Sequence, residues 1–241
     1  MKRAIAALVL VFAAAPMLRA DVILTSENLN ESLKTMQRLQ QQASQGAKAE
    51  QVEALFDLGV ASDALASLLT DEVAEHGMQE TQLLELAMRR TREMGHQIEW
   101  SIEKRRFFYE GAAFRAYLQQ APKGRRGAEA SFWMVETEFY KTGREDAPGI
   151  LKAVEHKKNF LKAYPRFKLV ADVGVFLAID YRDLYRRHAS LGETAAARRF
   201  RKLAREQLTR VASSDPSSEA GRIALETRKQ LDAEPDARGS K

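Results

Sequence analysis

Apolar residues recur at intervals of three and four along most of this chain, the period of a helix that buries one face. Leu29, Leu33, Met36 and Leu39 form one such stripe and predict a helix over about 27–44, with Ser26 as its N-cap. A second stripe starts near Ala49 with Val52, Leu55, Phe56 and Val60, and Gly59 or Ser62 is where it would divide before Leu65, Leu68 and Leu69. The same spacing predicts helices over 78–94, 97–120, 128–142, 147–163, 168–188, 193–213 and 217–232. Strand-like alternation is almost absent from this pattern, so the expected fold class is all-α.

Proline punctuates the second half. Tyr117-Leu118 precedes Pro122, Phe160-Leu161 precedes Pro165, and Val211-Ala212 precedes Pro216, each pair five and four residues ahead of its proline. Proline stops a helix because it lacks an N–H and its ring crowds the preceding turn. Pro165 follows Pro122 by 43 residues, and Pro216 follows Pro165 by 51. Ala153 and Ala204 both stand 12 residues before their proline, where a small side chain lets two helix backbones approach closely. A period of this kind predicts a stack of antiparallel helical hairpins wound into a right-handed superhelix.

Phe160-Leu-Lys-Ala-Tyr-Pro165, then Ala171, a long aromatic helix, and Gly192 before Ala195-Ala196-Ala197 resemble tetratricopeptide (TPR) helical repeats of bacterial envelope proteins. The style is that of the outer-membrane assembly helical-repeat lipoprotein, without its lipidated cysteine. The likeness covers about residues 107–232; its spacings exceed the family's repeat of about 34 residues, and residues 21–106 do not share it. It implies a TPR-like solenoid that scaffolds other proteins in the envelope.

Residues 1–20 read as a secretory signal peptide. Lys2 and Arg3 lead, Ala4 to Ala15 is apolar, and Leu18-Arg19-Ala20 ends in the small residue at which a signal peptidase cuts. The apolar run of 12 residues is short against the roughly 20 that a spanning helix needs. Export with cleavage after Ala20 is therefore the expectation, which places the protein in the periplasm or otherwise outside the cytoplasm. The organisation expected is 1–20 signal peptide, 21–106 N-terminal helical region, 107–232 TPR-like repeats and 233–241 disordered tail. The chain has no cysteine, which excludes disulfides, thiolate metal sites, cysteine nucleophiles and a lipoprotein anchor.

The formal charge of +5 falls to +2 without Lys2, Arg3 and Arg19, too small an excess for a nucleic-acid binder. Its distribution says more. Nine acidic residues and no Lys or Arg lie between Ala49 and Met88, and eight basic residues face Asp183 and Glu193 between Arg182 and Arg205. Such blocks suit a polarised molecule that steers a charged partner or packs head to tail with its own copy.

Ten of the 19 aromatic residues lie between Trp100 and Tyr140. In a helix over 97–120, Phe107-Phe108-Tyr109 would sweep an arc of about 200°, so at least one ring would face a neighbouring helix, a groove or a partner. Lys104, Arg105 and Arg106 precede this triplet, and Lys123, Arg125 and Arg126 follow it. Basic residues interleaved with aromatics hold peptide carboxylates or anionic headgroups. The candidate partner-binding residues are accordingly Arg105, Arg106, Phe107, Tyr109, Arg125, Arg126 and Trp133. Glu93 and His96 have the i, i+3 spacing of di-metal helical bundles, but no second such pair accompanies them. No Gly-x-Ser-x-Gly or Gly-rich phosphate loop occurs. The expectation is a non-catalytic protein- or peptide-binding scaffold of the cell envelope, with no cofactor, no metal and no nucleic acid. Peripheral membrane contact and self-association remain compatible with it. The alternatives are an all-helical enzyme acting on a cell-wall polymer and a self-assembling structural protein.

Overall fold

A computed structural model describes residues 24–77, 81–102, 104–140 and 147–235. The signal-peptide expectation for 1–20 lies outside the described residues, as does 236–241. Helix dominates among those described: nine helices and one two-stranded antiparallel hairpin. None of the helices described is long and apolar enough to cross a membrane.

The chain divides into two compact units at Ala130/Ser131. The expected boundary at 106/107 instead falls inside a strand. Unit 1 holds α1 (Ser26–Gln45), α2 (Lys48–His76), α3 (Thr81–Glu93), β1 (Ile98–Ser101), β2 (Arg106–Tyr109) and α4 (Ala112–Gln120). The N-cap of α1 is Thr25, one residue before the expected Ser26; its hydroxyl accepts from Asn28 N–H, and the Asn28 side chain accepts from Thr25 N–H in return. The long α2 is unbroken. Ser62 does not divide it because its hydroxyl bonds back to the Leu58 carbonyl at 2.8 Å. Gly59 does not divide it either. A Cβ there would stand 2.5 Å from the Phe114 ring, so the glycine admits that ring against the helix. One side of α2 packs on α1, and α2 also packs on β2 and α4.

The helix expected over 97–120 is in fact the hairpin followed by a short helix. Ile98 pairs with Tyr109 and Trp100 with Phe107. Gly95 and Gly111 bound the segment, both at positive φ (77° and 83°), where an L side chain is strained. Arg105 takes φ 52° immediately before β2.

Unit 2 begins within α5 (Gly127–Tyr140) and continues through α6 (Ala147–Ala163), α7 (Val170–Ser190), α8 (Thr194–Ser214) and α9 (Glu219–Ala233). Each of α6 to α9 packs on the next in sequence, and α9 also reaches α7. Small residues line these seams: Ala153, Ala178, Ala197, Ala204 and Ala220 are all buried. A Cβ on Gly174 of α7 would stand 2.7 Å from the Val211 side chain of α8. Between Ser190 and Thr194 the chain turns through Gly192 (φ 73°), so α7 and α8 run antiparallel. Phe132, Phe160, Phe167 and Phe176 form a second apolar cluster with Val135 and Val173. Of the tail expected to be disordered from 233, Ala233 ends α9 and residues 236–241 lie outside the described residues.

Candidate binding surfaces

The aromatic triplet is core. Phe107 is 0% exposed, Phe108 2% and Tyr109 1%. Phe107 and Tyr109 are therefore corrected from surface anchors to interior residues. The reason is the strand: its residues alternate between two faces, and three consecutive buried rings mean that both faces are covered. Phe107 meets Trp100 edge-on at 4.9 Å, and its N–H donates to Thr70 Oγ1 of α2 at 2.8 Å. Tyr109 meets Phe114 at 6.1 Å, and Phe114 meets Phe56 at 5.5 Å.

The Tyr109 hydroxyl has a second task. Gly111 caps α4 without a side chain, and the Ala113 N–H of the first turn donates to the Tyr109 oxygen at 2.7 Å. A phenol thus meets an orphan donor that a Ser or Asp usually meets. His96 Nδ1 lies 3.0 Å from the same oxygen. Burial holds the imidazole below its ordinary pKa, while Glu110 pulls the other way. The tyrosine is pushed up, first by burial. Both groups are thus neutral at pH 7. Glu93, the expected i, i+3 companion of His96, instead lies near Arg89 and Arg90 on the surface. No group of three or more His, Asp or Glu residues positioned to hold a metal occurs among the described residues.

The basic residues separate into two kinds. Arg105 is exposed at the hairpin tip beside Ile102, which is 79% exposed. Arg125 is 84% exposed and lies 3.7 Å from Glu53. Arg106 and Arg126 are built into unit 1. The Arg106 Nε donates to its neighbour's carbonyl at 3.3 Å, and its charge acts on Asp63. Burial raises the Asp63 carboxyl to about 6, with Arg106 pulling it down. The Arg126 guanidinium sits 3.5 Å over the Phe56 ring and donates to Asp57 at 2.7 Å and Glu129 at 3.4 Å. These contacts lock the 121–126 turn onto α2. Trp133, in unit 2, is half-buried with its ring edge-on to Phe132 at 6.0 Å. Of the seven candidates, Arg105 and Arg125 are on the surface and Trp133 is partly so.

Sequence reasoning passed over two features of unit 2. Lys157 of α6 and Asp180 of α7 are both 0% exposed and 2.7 Å apart. The signal was present, since Lys157 falls on the stripe Ile150, Ala153, Val154, Phe160 that is otherwise apolar. The second is a group of arginines, Arg182 and Arg186 on α7 and Arg201 and Arg205 on α8, gathered at the end of α9. The sequence showed these residues only as a basic block. Against known proteins, no family model matches the chain and no curated protein matches it.

Proposed function

We propose that the protein is a non-catalytic scaffold that binds protein or peptide in the cell envelope, with unit 2 as a TPR-like stack of antiparallel helical hairpins. The observation that carries this is the serial packing of α6 to α9, each helix on the next and α9 on α7, through seams of Ala and Gly. A stack in which each hairpin contacts only the adjoining hairpins leaves a continuous outer surface, which is how repeat proteins present a binding face. The signal-like residues 1–20 support an envelope location. On unit 1 we assign as contacts Arg105 and Arg125, the basic candidates that stand on the surface; on unit 2, separately, we assign Trp133, the partly exposed aromatic.

The test is affinity capture by residues 21–241 from crosslinked envelope extract, run in parallel with Arg105→Glu, Arg125→Glu and Trp133→Ala forms. A discrete partner captured by the parent and depleted at least tenfold by one of these changes is the expected result. Recovery of the protein alone, or of the same set by all four forms, would remove the proposal.

A further inference from the structure

Five side chains converge on one short stretch of chain, residues 230–235 at the end of α9. The Arg201 Nη2 donates to the carbonyls of Leu231 at 2.9 Å and Glu234 at 2.7 Å, with the Asp232 carbonyl at 3.4 Å. The Arg205 Nε donates to Asp232 Oδ1 at 2.9 Å, and the Arg186 Nε donates to Glu234 Oε1 at 3.1 Å. The Tyr185 hydroxyl donates to the Pro235 carbonyl, and its ring lies 5.4 Å from the Arg201 guanidinium carbon. Arg182 Nη1 reaches Gln230 Oε1 at 3.4 Å. Glu234 has already left the helix, with extended backbone at φ −66° and ψ 139°.

This exceeds what a helix end requires. Orphan carbonyls at a C-terminus are ordinarily met by a glycine turn or one basic side chain. Here one arginine reads the backbone, two others read carboxylates separated by a single residue, and a tyrosine holds the chain where it leaves. The cradle thus reads a helix end, Leu231 to Ala233, and the extended residue that follows it, Glu234, through both backbone carbonyls and side-chain carboxylates. Two of the four arginines, Arg186 and Arg205, pair with the carboxylates of Glu234 and Asp232, and Asp183 also acts on Arg182 and Arg186. The Arg182 Nε is buried with no hydrogen-bond acceptor among the described residues. Burial, and then the charge of Arg186, hold that guanidinium below its usual range, with Asp183 and Glu234 acting in the opposite sense.

We propose that this cradle is a binding site for acidic peptide segments that carry two carboxylates two residues apart, and that the chain's own Asp232–Pro235 stretch is its resident occupant. The inference deepens the scaffold reading and rests on it, because it names the site and the class of ligand. An occupant tethered to its site competes at high effective concentration. An external peptide then sees only the fraction of molecules with the cradle open, and its apparent affinity falls by that fraction.

The probe is a labelled synthetic peptide of residues 229–235, Lys-Gln-Leu-Asp-Ala-Glu-Pro, added to the full chain. We expect a form with Asp232→Asn and Glu234→Gln to bind it at least tenfold more tightly than the parent, because its own segment no longer competes. The tighter binding should disappear when Arg186→Gln and Arg205→Gln are added, and for a peptide with Asn and Gln in place of Asp and Glu. Equal affinity in the parent and the emptied form, or equal affinity for the neutral peptide, overturns the proposal. Hydrogen exchange on the unaltered protein needs no substitution. The Glu234 N–H, held by the carbonyls of Gln230 and Leu231, should exchange several-fold faster with millimolar peptide present, and unchanged exchange overturns the proposal independently. If these tests fail while partner capture still depends on Arg105 or Arg125, the scaffold reading stands and this site alone falls.

Discussion

Replacing Lys157 with methionine tests the least ordinary contact in unit 2. Lys157 Nζ and Asp180 Oδ2 are 2.7 Å apart with both side chains fully buried. At that separation, opposite unit charges attract by about 6 kcal/mol at an effective dielectric constant of about 20. Removing each ion from water costs several kcal/mol, so the intact pair comes out near break-even. Taking away one partner is different, because the other charge then stays buried without its counter-ion, at a cost of about 3–5 kcal/mol. Lys157→Met and Asp180→Leu should each lower stability by that amount, which corresponds to a drop of roughly 10–20 °C in melting temperature for a unit of this size. The double variant should be more stable than either single, since no ion is left buried. Urea unfolding of the parent, both singles and the double gives the coupling energy directly. A coupling below about 1 kcal/mol, or a double variant that loses the sum of the two singles, would refute the account of a mutually dependent buried pair.

Three further outcomes follow from unit 1. The Asp63 carboxyl titrates near 6 in the fold against 3.8 unperturbed, so the folded state holds its proton more tightly than the unfolded chain does, and stability falls as pH rises between about 4 and 6. Asp63→Asn should therefore raise stability at pH 8 by up to roughly 3 kcal/mol and leave it unchanged at pH 3; an equal effect at both pH values in urea titrations would contradict the burial argument. Tyr109→Phe should cost about 1–3 kcal/mol, because it strands the buried Ala113 N–H at the start of α4, and amide exchange at Ala113 should accelerate more than exchange in α1, a contrast whose absence would remove the capping role. Gly59→Ala gains about 1 kcal/mol of helix propensity but sets a methyl against the Phe114 ring; overpacking of about 1–3 kcal/mol should win, and a melting temperature at or above the parent's would show that the ring moves aside freely.

How much of this was legible in the sequence depends on the element. From residue 147 onward, amphipathic stripes ended by Pro or Gly placed every helix within about two residues, and α6 agrees at both ends. The failure at 97–109 has a physical cause. A period of 3.6 and a period of 2 are hard to tell apart over four residues, and each strand here is only that long. The run Phe107-Phe108-Tyr109 did carry the conflict, since three adjacent large rings do not share one helix face. That conflict pointed to a strand covered on both sides rather than to an exposed ring. The capping role of Tyr109 was not legible, because it depends on the hairpin folding back to bring the phenol under the first turn of α4. The same holds for Arg106 and Arg126, whose partners Asp63 and Asp57 lie more than 40 residues away in sequence.

The charge blocks show why composition along a chain is a poor guide to assembly. The acidic stretch of α2 finds cations within its own unit: Glu53 faces Arg125, Asp57 binds Arg126, and Asp63 lies in the field of Arg106. The basic stretch of α7 and α8 finds anions within its own unit, with Arg186 on Glu234 and Arg205 on Asp232. A head-to-tail assembly of copies that matched one block to the other would exchange these pairs for equivalent ones. Of these, Glu53–Arg125 and Asp232–Arg205 are exposed on both sides and contribute only about 0–1 kcal/mol each, so exchanging them leaves almost no net electrostatic drive. Association through the blocks would therefore need apolar burial as well. It would also be predicted to hold at high salt, where screening removes the charge contribution and leaves the apolar one.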